Sequence, residues 1–253
     1  MPRVARIKSS TGIYHIMVRG INLQEIFTTD DDYKRLLHTL TKYNRNNAFE
    51  MYAYCLMGNH VHLLLKEVQE PVATTMKRIG TSYAYHYNWQ YNRKGHLFQD
   101  RYKSEPVEDD SYFLTVLRYI HMNPLKAGLS SDIISYPWSS YSEYINSEKL
   151  VNTCFALGIF NQDREKAIQE FIEFHNQPNN EKCLDIVEKK ETISDKKIMQ
   201  LVTKKYSIEL SELSNAKRDV KKEVLIYLKN LEGCSIGQLS RLTGLSKNQI
   251  IRA

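Results

Sequence analysis

The period of apolar and polar residues changes repeatedly over the first 130 positions, and each change predicts an element. Residues 14–20 (Tyr-His-Ile-Met-Val-Arg-Gly) form a β-like run closed by glycine. Thr28-Thr29-Asp30-Asp31-Asp32 combines cap hydroxyls with acids that suit the positive end of a helix. Tyr33, Leu36, Leu37, Leu40 and Tyr43 then recur at helical spacing. Residues 49–57 and 60–66 are two apolar β-runs separated by Gly58-Asn59, a turn signal that predicts an antiparallel pair. Pro71 suits the first turn of another helix, running to about residue 91 with Val72, Met76, Ile79, Tyr83 and Tyr87 along it. Asn92-Arg93-Lys94-Gly95 is a turn, and residues 97–107 read as a strand carrying Arg101 and Lys103.

This β-α-β-β-α-β order predicts an α+β fold of the ferredoxin-like type, an antiparallel sheet with two helices on one face and the other face open. A further helix starts after Glu108-Asp109-Asp110, with Asp110 expected as its N-cap. It runs through Tyr112, Phe113, Val116, Leu117, Tyr119 and Ile120, and Asn123-Pro124 is expected to stop it. Another amphipathic helix covers residues 163–175. Residues 177–195 are polar, with few aromatics, and read as a linker. Beyond them, helical patterns cover residues 196–206, 218–231 and 235–253. Within the last, Gly244 and Ser246 separate two short helices in a helix-turn-helix pattern, with Ser246, Lys247, Asn248, Gln249 and Arg252 on the second. The expected organisation is an α+β domain (1–147), its helical extension (148–176), a linker (177–195) and a small all-α domain that carries the helix-turn-helix (196–253).

Composition adds bounds. At 253 residues, with 42% hydrophobic and 25% charged positions, the chain can bury one large core or two small ones. The net charge of +6 mildly favours an anionic partner. Cys55, Cys154, Cys183 and Cys234 are scattered without a C-x-x-C pair, so neither a zinc ribbon nor a disulfide framework is indicated. The basic N-terminus lacks the apolar run of a signal peptide, and no stretch approaches the ~18 apolar residues of a membrane span. A cytoplasmic setting without membrane contact is expected.

The chemistry concentrates in Gly58-Asn59-His60-Val61-His62-Leu63. Side chains alternate along a strand, so His60 and His62 project together while Val61 and Leu63 face the opposite way. Two neutral imidazoles on one rigid face make a seat for a divalent metal. Tyr119 and Asn123, four apart, share one face of the helix expected after the sheet. Packed on the open sheet face, that helix would bring a phenol and a carboxamide over the imidazoles. The set suits phosphodiester cleavage: a cation neutralises charge on phosphoryl oxygens while the tyrosine oxygen attacks phosphorus. Histidine-triad hydrolases need H-x-H-x-H, and here the third position is Leu64. The H-x-H-x-D-H of metallo-β-lactamases is also missing. An RNA-binding sheet would carry aromatics where this one carries histidines.

Gly-Asn-His-Val-His-Leu-Leu-Leu resembles the HUH motif of single-tyrosine transposases and relaxases. Residues 118–128 (Arg-Tyr-Ile-His-Met-Asn-Pro-Leu-Lys-Ala-Gly) resemble the nucleophile helix of REP-associated tyrosine transposases. Residues 95–104 and 136–141 are also similar to that family, and the likeness spans residues 1–175. The resemblance implies that His60 and His62 bind Mg²⁺ or Mn²⁺ with Asn123 as third ligand. It implies that Tyr119 forms a 5′-phosphotyrosine and leaves a free 3′-OH, and that the substrate is single-stranded DNA at a hairpin of a palindromic repeat. Arg19, Arg101 and Lys103 are candidate phosphate contacts, and Tyr102 a candidate for base stacking. The C-terminal pattern resembles the helix-turn-helix of bacterial replication initiators and implies contact with duplex DNA. A monomer or a homodimer is compatible with these features. The competing expectation is an inactive DNA-binding regulator that uses only the helix-turn-helix.

Overall fold

The computed structural model describes residues 6–185, 193–231 and 233–252, excluding the side chains of Arg218 and Arg252. The chain divides into two compact units, residues 1–185 and 186–253.

Unit 1 is built on four strands, β1 (Ile13–Arg19), β2 (Phe49–Met57), β3 (His60–Glu67) and β4 (Lys103–Pro106), with α1 (Asp30–Arg45) and α2 (Val72–Gln90) between them. The strand order is β2-β3-β1-β4, and every neighbouring pair is antiparallel. This is the ferredoxin-like arrangement that the order of elements predicts. The α1 helix begins where expected: the Asp32 carboxylate accepts from the backbone N–H of Thr28 at 2.8 Å and of Thr29 at 3.0 Å. Val61 and Leu63 of β3 face α1 and α2, sharing a cavity with Leu36, Leu40, Met76 and Ile79.

The opposite sheet face is covered by α3 (Asp110–Lys126), which packs on β2 and β3. Helices on both faces explain why β2 and β3 are buried almost throughout. Three short helices complete the unit: α4 (Tyr141–Ile145), α5 (Cys154–Phe160) and α6 (Arg164–Asn176). The first two carry no clear periodic signal in the sequence.

Three expectations need correction. Only residues 103–106 of the expected strand 97–107 pair as a strand, so Arg101 and Tyr102 lie before β4. The earlier part is held otherwise: Leu97 accepts from the Ile21 N–H at 2.9 Å, and the Gln99 N–H donates to Arg19 at 3.0 Å. The polar run Gln99-Asp100-Arg101 has no apolar face to bury in a sheet. The α3 helix does not stop at Asn123 but passes through Pro124 to Lys126. The missing proline N–H falls in the last turns, and the end is closed by a Schellman motif. There Gly128, at φ +68, donates to Leu125 at 3.1 Å and Leu129 donates to Pro124 at 2.9 Å. The N-cap of α3 is Asp109, whose carboxylate accepts from the Tyr112 N–H at 2.8 Å, and not Asp110.

Unit 2 is helical among its described residues: α7 (Asp195–Tyr206), α8 (Arg218–Asn230), α9 (Ile236–Thr243) and α10 (Lys247–Arg252), with a 3-10 segment at Leu210–Asn215. Its core gathers Ile198, Val202, Leu210, Leu213, Val224, Leu225, Leu228, Leu239 and Ile250. Gly244 at φ +69 makes the turn between α9 and α10. Cys55, Cys154, Cys183 and Cys234 are all free thiols. No helix among the described residues is long and apolar enough to cross a membrane.

Candidate metal and tyrosine site

Antiparallel pairing decides what shares a face with the histidines, because directly opposed residues project the same way. His60 lies opposite Arg19 and Met57, and His62 opposite Met17 and Cys55. Two positions along β1, His15 lies opposite Leu64. From β4, Lys103 pairs with Met17 and Glu105 with His15. The register therefore lines Arg19, His15 and Lys103 up with the two histidines.

Hydrogen bonds orient the imidazoles. His60 Nδ1 lies 2.6 Å from Asn59 Oδ1 in the turn, so the ring nitrogen donates there and Nε2 keeps its lone pair. His62 Nδ1 lies 3.0 Å from His15 Nε2, while the buried His62 Nε2 has no hydrogen-bond partner. Burial keeps these rings uncharged: it lowers His60 to about 4 (partly opposed by Asp185) and His15 to about 3. His62 is lowered well below the ordinary range, first by burial and then by its neighbours His15 and His60.

The α3 helix brings Tyr119 onto this cluster, with ring centroids 5.8 Å from His62 and 5.9 Å from His15. Tyr119 Oη donates to Asp185 Oδ2. Burial, and then the hydrogen bond and negative charge of Asp185, raise the phenol above its usual range. Asp185 Oδ1 is 3.9 Å from His62 Nε2. One ligand atom from each of His60, His62 and Asp185 lies within 4.8 Å of the others, so the three could hold a metal ion. Asp185 is only half-exposed although it lies in residues 177–195, read above as a linker. Its segment is pinned by Arg118, which pairs with Glu181, donates to the Phe174 carbonyl at 2.7 Å and covers the Phe174 ring at 3.8 Å.

Asn123 sits one turn beyond Tyr119, and its side-chain N–H donates to the Tyr119 carbonyl at 2.9 Å. Arg101 is exposed. The Tyr102 ring is covered on one side by the Arg6 guanidinium at 3.6 Å. In unit 2, Ser246 and Gln249 cap each other across the first turn of α10, the Ser246 N–H and Oγ each donating to Gln249 Oε1 at 2.9 Å. Lys247 and Asn248 beside them are exposed. The side chain of Arg252 lies outside the described residues.

Sequence reasoning missed His15 and Asp185. His15 had a usable signal, since it alternates with Met17 and Arg19, but its face is known only once β1 is registered against β3. Asp185 had none: it lies 66 residues from Tyr119 in a polar stretch.

Residues 8–123 match the family model described as "Transposase IS200 like". A putative REP-associated tyrosine transposase of Haemophilus influenzae is 26% identical over 111 residues, covering 40% of this chain and 63% of that protein. The REP-associated tyrosine transposase of Escherichia coli K12 is 21% identical over 137 residues, covering 53% of this chain and 78% of its own length. Among solved structures, a REP-associated tyrosine transposase bound to a REP hairpin aligns at a TM-score of 0.49 and 19% identity, over 57% of this chain and 86% of that one. A putative transposase of Deinococcus radiodurans aligns at 0.34 and 19%, over 47% and 95%. The matched stretch, residues 8–123, takes in the sheet, α1, α2 and α3 as far as Asn123, so this part of the chain is similar to IS200-like transposases.

Proposed function

We propose that the chain is a metal-dependent transposase and endonuclease of single-stranded DNA. In this reading it cleaves and rejoins DNA at hairpins of palindromic repeats through a covalent 5′-phosphotyrosine. The observation that carries the reading is the approach of Tyr119 to His62, at 5.8 Å between ring centroids, beside a cluster of metal-ligating atoms. Both relatives are named REP-associated tyrosine transposases, and the hairpin substrate is what the family resemblance of the sequence implies.

The donor set fits a divalent cation. His62 Nε2 is a buried nitrogen without a hydrogen-bond partner, and the Nδ1 bonds turn both rings so that Nε2 can ligate. His60 and His62 would hold Mg²⁺ or Mn²⁺; the family resemblance implies Asn123 as a third ligand, but its amide nitrogen is engaged with the Tyr119 carbonyl. When bound, the ion would neutralise charge on a phosphoryl oxygen and favour the phenolate. Tyr119 Oη forms the bond to phosphorus as the P–O3′ bond breaks, its proton leaving along the hydrogen bond to Asp185. The departing 3′ oxygen takes a proton from solvent and becomes the 3′-OH. The phosphotyrosine conserves the bond, so a 3′-OH can later attack it and free Tyr119. Arg19 and Lys103, on the histidine face by register, would contact phosphates. Arg101 would add a phosphate contact, and Tyr102 would offer its remaining face to a base. Lys247 and Asn248 would approach duplex DNA from α10, with Ser246 and Gln249 ordering that helix and contacting DNA at its N-terminus.

The test is incubation of the full chain with a single-stranded hairpin oligonucleotide and Mn²⁺ or Mg²⁺, read on a denaturing gel. The expected result is a covalent protein–DNA adduct that disappears in Tyr119→Phe. An adduct surviving in that variant assigns the nucleophile elsewhere. Absence of cleavage on every palindrome tried would leave the regulator.

A further inference from the structure

We propose that Asp185 is a protein ligand of the divalent cation and, through its second oxygen, the residue that positions Tyr119. The inference rests on the metal site read above, and replaces Asn123 by a residue beyond the 8–123 family match.

The two oxygens of this carboxylate face different groups. Asp185 Oδ2 accepts the Tyr119 phenol, while Oδ1 faces His62 Nε2 at 3.9 Å. That separation is too long for a hydrogen bond. It is within the range for two ligands of one ion, since donors about 2.1 Å from a common octahedral cation lie about 3 to 4.2 Å apart. His62 Nε2 supplies the second, independent observation, as a fully buried polar atom with no hydrogen-bond partner, on the side of its ring that Asp185 approaches.

The chemistry favours the same residue. A carboxylate oxygen is a harder and more strongly bound donor for Mg²⁺ or Mn²⁺ than a carboxamide oxygen, and it adds the charge that two neutral imidazoles lack. Asn123 meanwhile directs its amide nitrogen back to the Tyr119 carbonyl at 2.9 Å, within its own helix. Asp185 is also held in place. Four residues earlier Glu181 pairs with Arg118, both nearly buried, and Arg118 directly precedes Tyr119 on α3. The ion pair thus anchors the carboxylate-bearing segment to the helix that carries the nucleophile. One carboxylate would tie the cation to the phenol and fix their separation before DNA arrives.

The experiment is Mn²⁺ binding by titration calorimetry on the full chain, for wild type, Asp185→Ala, Asp185→Glu, Asn123→Ala and His62→Ala, each checked for folding by circular dichroism. Asp185→Ala should weaken Mn²⁺ binding at least ~10-fold, Asp185→Glu should recover part of the loss, and Asn123→Ala should change affinity by less than ~3-fold. At saturating Mn²⁺, Asp185→Ala should still form the hairpin adduct more slowly than wild type, because the phenol is no longer positioned. Wild-type affinity in Asp185→Ala together with its loss in His62→Ala would overturn the proposal and leave the histidine site standing. Unchanged affinity in His62→Ala as well would overturn the metal reading itself. Faster adduct formation by Asp185→Ala at unchanged affinity would make the segment an obstruction and also overturn the proposal.

Discussion

His15 and His62 face each other across β1 and β3, Nε2 to Nδ1, at 3.0 Å. This contact fixes which nitrogen of His62 points toward Asp185, although His15 is not itself among the grouped ligands. Supports of this kind typically set metal affinity by ~10–100-fold. His15→Ala should therefore weaken Mn²⁺ binding by about that factor while leaving His60, His62 and Asp185 intact. Calorimetry on the folded variant checks it, and wild-type affinity would remove His15 from the site.

The Arg118–Glu181 pair holds residues 177–185 against α3. Its side chains are 11% and 13% exposed, so truncating one partner leaves the other charge poorly hydrated. Breaking a buried pair costs about 3–5 kcal/mol, and some exposure brings the expectation for Glu181→Ala to the lower end. Urea denaturation should show this loss, and limited proteolysis should cut residues 177–185 faster than in wild type. Equal stability and equal cleavage would mean that the segment is held by other contacts.

Arg19 and Lys103 share a sheet face with the histidines through their register with His60 and Met17. If they contact phosphates, Arg19→Ala and Lys103→Ala should each weaken hairpin binding across sequences. Each should also reduce the slope of log K against log salt by about 0.7, the value per contact for single strands. Binding titrations at several salt concentrations check this, and an unchanged slope would place the DNA elsewhere.

Acid should destabilise the protein through its buried imidazoles. Burial lowers His15 and His175 to about 3 and His60 to about 4, whereas an unfolded histidine titrates near ~6.5. Between those values the unfolded state binds protons that the native state does not, so stability falls as pH drops below ~6.5 and levels off above it. Each such histidine contributes a slope of up to about 1.4 kcal/mol per pH unit. His62 and His121, also fully buried and shifted down, act in the same direction. Denaturation midpoints measured between pH 7.5 and 5 should fall steeply, and a flat profile would mean that these rings are hydrated.

What the sequence determined by itself was local. Alternation placed His60 and His62 on one face, and Gly58-Asn59 turned the chain between β2 and β3. Helical spacing put Tyr119 and Asn123 on one side of α3, and the order of elements implied the ferredoxin-like sheet. These features depend on neighbours within a few residues, where backbone periodicity decides direction. Tertiary structure decided the rest. Only strand register brings His15 to His62, because the pairing of β1 with β3 is a contact between distant segments. Only packing carries α3 past Pro124, where a buried helix face and a glycine closure offset the missing hydrogen bond. Asp185 reaches Tyr119 because Glu181 anchors its segment to Arg118. No local pattern encodes such a meeting, since a polar stretch reads the same whether it is solvated or held against a helix by one buried ion pair.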